Sequence, residues 1–188
     1  MKLPFAPLMI ALALAGAAAP VATLAQEQVV TVGGAPMFPS RNIVQNAVNS
    51  KDHTTLVAAV QAAGLVDTLM SPGPFTVFAP TNAAFNKLPA GTVGTLVKPE
   101  NKATLTGILT YHVVSGRLTA ADLTSRIAAG GGRARLTTVN GKPLTVTSAG
   151  RGRFTITDAK GGTSAITIPD VLQSNGVIHV VNSVLIPG

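Results

Sequence analysis

Three histidines, one tyrosine and a lone aspartate are the residues of this chain best suited to do chemistry. His112 follows Tyr111 directly, His179 sits within Val177-Ile178-His179-Val180-Val181, and His53 follows Asp52. Imidazole can move a proton near neutral pH or hold a metal, but the spacing here suits neither task. No two histidines fall at zinc-ligand intervals, and H-E-x-x-H is absent. There is no G-x-S-x-G elbow, no P-loop and no dinucleotide fingerprint. The chain has no cysteine, which excludes thiolate catalysis, a disulfide framework and a lipid-modified cysteine. Asp170 has no carboxylate near it in sequence to share acid–base work. His179 therefore reads as a neutral core histidine, hydrogen-bonded to backbone. His112 reads as a structural residue at a helix-to-strand junction, and His53 as a surface residue. No catalytic residue, metal ligand or cofactor is assigned.

The periodicity predicts the elements that carry these residues. Ser40 is placed to cap a helix over Ile43–Val48, and Asp52 to cap another over Thr54–Ala63 that Gly64 closes. Asp67 starts one more turn, which Pro72-Gly73-Pro74 breaks. Phe75–Ala79 has strand spacing with apolar residues on both faces, so it belongs in the core, covered on both sides. Pro80 stops it, and Thr81 or Asn82 caps a short helix carrying Ala83, Ala84 and Phe85. A short helix over Val93 to Val97 and a longer one over Glu100–Thr110 lead into a strand at Tyr111–Val114. A last short helix begins near Ala121 and stops at Gly130-Gly131-Gly132.

From Arg133 the period changes to two. Phe154 and Ile156, then Ile166 and Ile168, mark strands, with a turn at Pro169-Asp170 and a buried final strand over Val177–Ile186. Asn140-Gly141 signals a hairpin. A two-residue turn there would put Arg133 and Arg135 on the face of Leu144 and Val146, so a bulge or longer turn is expected. Helices first and strands later, with Phe75–Ala79 returning to the sheet, is an α+β pattern.

The stretch Thr76-Val77-Phe78-Ala79-Pro80-Thr81-Asn82-Ala83-Ala84-Phe85 resembles the first signature box of the fasciclin (FAS1) domain. Tyr111-His112-Val113-Val114, the Asn140-Gly141 turn and Asn175-Gly176-Val177-Ile178-His179-Val180-Val181-Asn182 match further boxes in the family's order. The resemblance runs from about Asn42 to Pro187. It implies a β-sandwich or wedge of sheets with several short helices packed along it. It also implies a role in adhesion at cell surfaces or in extracellular matrix, without catalysis. In animal matrix members a tyrosine-histidine segment and an Asp-aliphatic motif are implicated in integrin contact. These map to Tyr111 and His112, and to Asp170 and Val171, although the flanking Ile168-Pro169 and Leu172 differ from the animal motifs. A short single-domain chain with a leader resembles the bacterial secreted branch. The competing reading is a small-ligand binder or hydrolase built on Tyr111, His112 and Asp170.

Composition sets the outer limits. The chain has 188 residues, 46% apolar and only 11% charged, enough for one domain with a core and too apolar for disorder. Residues 1–25 read as a signal peptide, with Lys2 ahead of an apolar run too short for a membrane span and small residues before Gln26. Residues 26–39 read as a linker, residues 40–188 as the domain, and no second apolar span follows. The mature chain is therefore expected outside the cytoplasm, in the periplasm, at the cell surface or released. Between Ser115 and Gly162 lie eight bases, Arg133, Arg135, Arg151 and Arg153 among them, against two acids. The rest of the mature chain balances five bases with five acids. Such a segment attracts polyanions, whether acidic polysaccharide, anionic lipid or nucleic acid; the alternative is a solvated basic face. One tyrosine and no tryptophan leave little to stack bases, so a specific nucleic-acid partner is not expected.

Overall fold

The computed structural model describes residues 28–188; the expected leader lies outside them. The first element is a correction. Where a linker was expected, β1 (Val30–Val32) and β2 (Ala35–Met37) pair as an antiparallel hairpin. Gly33 and Gly34 both have positive φ, 58° and 77°, which a two-residue hairpin turn demands and glycine supplies without strain. Val32 and Met37 are buried in the main core, so the hairpin packs on the domain.

The helices follow: α1 (Ile43–Ala47), α2 (Thr54–Ala63), α3 (Val66–Met70), α4 (Asn82–Phe85), α5 (Thr92–Leu96), α6 (Lys102–Tyr111) and α7 (Ala120–Ala129). Two caps differ from expectation. Asn42, not Ser40, caps α1, in a capping box with Gln45. A 3-10 turn at Lys51–His53 precedes α2 and leaves Asp52 exposed, with no side-chain cap on α2. Gly64 ends α2 at φ 71°, as expected. Thr81 caps α4 by accepting the Ala84 N–H. Tyr111 is the last residue of α6, not the first of a strand.

The strands are β3 (Phe75–Pro80), β4 (Val113–Ser115), β5 (Arg133–Thr137), β6 (Pro143–Ser148), β7 (Phe154–Thr157), β8 (Thr163–Gln173) and β9 (Gly176–Val181). They form one seven-stranded sheet in the order β4-β3-β9-β8-β7-β6-β5. A bridge between Val114 and Thr138 brings the two edges together, so the sheet curls into a nearly closed wedge. This is the α+β fold that the sequence implied. The final strand ends at Val181, not Ile186, because Asn182 leaves the ladder to bind the start of β8. Pro169-Asp170 is not a turn. It is an irregularity inside β8, with Asp170 at φ 55° and register shifts on either side of Ile168.

Among the described residues only β3 and β9 run parallel to each other, and both are buried on both faces. Val77, Ala79, Ile178 and Val180 face the helices, while Phe78 and Val181 face the inside of the curled sheet. Gly176 is required at the start of this pair, because a Cβ there would collide with the Phe75 carbonyl. One residue earlier, the buried Asn175 amide donates to the Leu69 and Ser71 carbonyls, 2.8 Å each, and accepts the Ile43 N–H at 3.1 Å. It ties α1 and α3 to the sheet. Asn175→Ala strands these groups and is expected to cost about 3 kcal/mol in urea unfolding, with the slope m unchanged.

Candidate functional site

The residues that looked able to do chemistry are inside the molecule. The C-terminal turn of α6 carries Tyr111 inward, where its ring is fully buried. Its hydroxyl donates to the Pro143 carbonyl and accepts the Ala159 N–H, 2.9 Å each, joining α6 to the start of β6 and the turn after β7. Burial raises its pKa.

His112 turns to the opposite side. Its Nδ1–H donates to the Ile108 carbonyl at 2.8 Å, and its Nε2 accepts the Leu185 N–H at 2.9 Å. A carbonyl can only accept, so this pair of partners assigns the neutral tautomer. Burial holds its pKa at about 4. His179 uses the other tautomer. Nε2–H donates to the Leu118 carbonyl at 2.7 Å, and Nδ1 accepts the Asp170 N–H at 3.3 Å. Its ring stacks on Phe78, its partner across the parallel pair, with centroids 5.7 Å apart. Burial lowers this pKa too. His179 is buried and satisfied, as expected, and His112 has the structural role expected of it, inside the molecule.

His53 overturns the expectation of a surface residue. It is 3% exposed, rolled under by the 3-10 turn that starts α2. Nδ1 meets the Ser50 hydroxyl at 2.9 Å, and Nε2 has no hydrogen-bond partner among the described residues. Burial lowers its pKa; the Ala79 carbonyl and the Asp52 carboxylate act against that shift.

Asp170 works with His179. Its side chain accepts the Ala120 N–H at 2.7 Å, at the first residue of α7. Thr76 accepts the Leu118 N–H at 2.8 Å and donates to the Gly116 carbonyl at 2.6 Å. Together Thr76, His179 and Asp170 hang the entrance of α7 from the central strands. Val171, the aliphatic partner of the motif, is 1% exposed. Tyr111, His112 and Asp170 thus belong to three separate networks and are not brought into one polar cluster. Among the described residues no group of three or more His, Asp or Glu is arranged to hold a metal ion.

The arginines lie elsewhere. β5 pairs with β6 so that Ala134 faces Val146 and Leu136 faces Leu144, both pairs buried. Arg133 and Arg135 therefore point outward, opposite Thr147 and Thr145. The loop Val139–Gly141 makes this register: it has three residues, with Gly141 at φ 87° and its N–H bonded to the Thr138 carbonyl at 2.8 Å. The longer turn expected at Asn140-Gly141 is what the structure has. Arg153 is exposed just before β7, and Thr155 and Thr157 continue the outward face in register with Thr147 and Thr145. Arg151 is exposed in the β6–β7 turn at φ 51°, not on a strand. Sequence reasoning missed Asn46, Asn175 and Gln173, the buried amides that join the helices to β8 and β9. Only their placement next to hydrophobic runs hinted at burial.

A curled mixed sheet, helices along its flank and an interior of polar residues that bind loops to strands define a compact α+β module, and the comparisons place it. The fasciclin domain model matches residues 51–187, and the chain belongs to the fasciclin family. Protein sll1483 of Synechocystis sp. is 44% identical over 163 residues, spanning 86% of this chain and 82% of that protein. The uncharacterised protein sll1735 of the same organism is 46% identical over 150 residues, 78% and 98% of the two chains. Among solved structures, a FAS1 domain pair from the insect cell adhesion molecule Fasciclin I has a TM-score of 0.69 at 20% identity. It matches 79% of this chain and 51% of that one, and shows the common fold.

Two measurements check the reading of the histidines. His179→Ala leaves a cavity and unpaired Leu118 and Asp170 backbone groups, and is expected to destabilise by roughly 2–4 kcal/mol in chemical unfolding. The second concerns pH. His112 titrates near 6.5 when unfolded and at about 4 when folded. Above pH 6.5 its contribution is complete; as pH falls, the unfolded chain takes up the proton first. Stability should drop by about 3 kcal/mol from this residue between those two values, and His112→Gln should flatten that part of the curve.

Proposed function

We propose that this protein is an exported, non-catalytic adhesion module that holds to an acidic polysaccharide of a matrix or cell surface through the outward face of β5–β7. The observation that carries this reading is the β5–β6 register. It turns Arg133 and Arg135 to solvent beside Thr145 and Thr147, with Arg153 and Arg151 at the far end of the same segment. Guanidinium groups meet carboxylates and sulfates with paired hydrogen bonds, and each contact to a polyanion releases counterions. Threonine hydroxyls between them suit the neutral hydroxyls of a sugar chain. Two of the eight bases in the segment have internal partners. Arg117 donates to the Gln173 carbonyl at 2.8 Å, and Lys142 reaches the Gly188 carbonyl. The four arginines make no such side-chain bond among the described residues.

Membership of the fasciclin family supports the adhesion reading, as does the fold shared with an insect cell adhesion molecule. The apolar leader supports export. The interior positions of Tyr111, His112 and Val171 shift the contact surface away from the two motifs implicated in animal integrin binding, leaving Asp170 at their margin.

The test is retention on an acidic exopolysaccharide such as alginate, using the mature protein and a variant with Arg133, Arg135, Arg151 and Arg153 changed to Gln. Retention should fall steeply from about 50 to 500 mM salt and be largely lost in the variant. Equal retention of both proteins, or indifference to salt, would show the face to be a solvated surface.

A further inference from the structure

The helical half of the molecule encloses apolar space on both sides of α6. One cavity, of about 100 Å³, lies between α1, α2, α3 and β3, with Val44, Val60, Leu65 and Phe75 in its wall. A second, of about 200 Å³, lies between α4, α5 and α6, bounded by Phe85, Leu88, Leu96 and Ile186. Leu109 and His112 line both, so the two cavities adjoin at these residues. Native interiors are close-packed, with few cavities larger than a water molecule. Two adjoining apolar cavities in a domain of this size depart from that packing.

Their chemistry selects the occupant. Among the described residues no charged side chain lines either cavity. His112 has both ring nitrogens engaged with Ile108 and Leu185, so it offers a ligand only its carbon edge. Dry apolar cavities of about 150 Å³ accept benzene-sized bodies rather than water. Two such spaces in series, divided by Leu109, suit something narrow and extended, not a compact ring system. The first cavity meets solvent where Gln61 and Thr68 are exposed and where Val139, at the tip of the β5–β6 loop, is 44% exposed. An apolar molecule with a polar end can leave that end there, beside an amide and a hydroxyl.

We propose that the two cavities form one binding site for the hydrocarbon chain of a single-chain lipid. The chain enters between Gln61, Thr68 and Val139, passes Leu109 as that side chain turns aside, and ends between Leu88 and Ile186. This site is independent of the basic face, which lies on β5–β7, so either can fail without the other.

The test is titration of the mature protein with cis-parinaric acid, which fluoresces in apolar surroundings. A saturable rise approaching one probe per chain is expected. Displacement by palmitate or by farnesol then tells a straight acyl chain from an isoprenoid one. Leu109→Trp fills the junction and should weaken binding about tenfold or more. Thr68→Trp blocks the mouth from an exposed position, so folding should survive, and it should weaken binding similarly. The variant with Arg133, Arg135, Arg151 and Arg153 changed to Gln should bind the probe like the parent. No saturable binding by the parent overturns the proposal. So does parent-like binding by a folded Thr68→Trp variant, or loss of binding in the arginine variant, which would put the probe's carboxylate on the basic face.

Discussion

The parallel pairing of β3 with β9 is the constraint on which the rest of the structure depends. Parallel strands cannot be joined by a tight turn, and a parallel pair inside a domain is covered on both faces. Here the helices α1, α2, α3 and α6 with the β1–β2 hairpin cover one face, and the curl of the sheet with α7 covers the other. The pair therefore fixes where both cores lie. It also brings Gly176 so close to Phe75 that no side chain fits.

Burial on both faces creates a polar problem that the interior side chains solve. The chain that leaves β4 and enters α7 passes over the central strands, and its backbone groups are removed from water. Thr76, His179 and Asp170 supply their partners. Tyr111 and His112, facing opposite ways, do the same for the Pro143, Ala159, Ile108 and Leu185 backbone groups. A buried donor or acceptor left unpaired costs about 1–3 kcal/mol, so residues that look catalytic are used here as fasteners. Both tautomers of neutral imidazole are needed, one at each site.

Much of this was legible in the chain. The alternation around Val77 and the capped turn after Pro80 placed β3 and α4, and the spacing of Leu56, Val60 and Ala63 placed α2 to the residue. The conflict between Asn140-Gly141 and the faces of Arg135 and Val146 foretold a longer turn, because one residue of slip exchanges the two faces of a strand. The run Val177–Val181 was apolar enough to bury His179 on sequence grounds alone. Local rules sufficed in each case, since period, proline and glycine act over a few residues.

What failed was decided by groups distant in sequence. The β1–β2 hairpin was read as a linker because its three-residue strands have no period of their own; only packing of Val32 and Met37 on the core gives it a place. His53 lies near polar neighbours in sequence, yet a 3-10 turn rolls it under β3. Tyr111 and His112 formed one motif on paper and face two different networks in space, because successive residues at a helix end point about 100° apart. The sequence by itself determined the order of the main helices and strands after Asn42, the buried central strand and the concentration of positive charge. The tertiary structure decided which polar residues are fasteners and which are free, because a side chain's partners are backbone groups up to 132 residues away, as for Asn175 and Ile43.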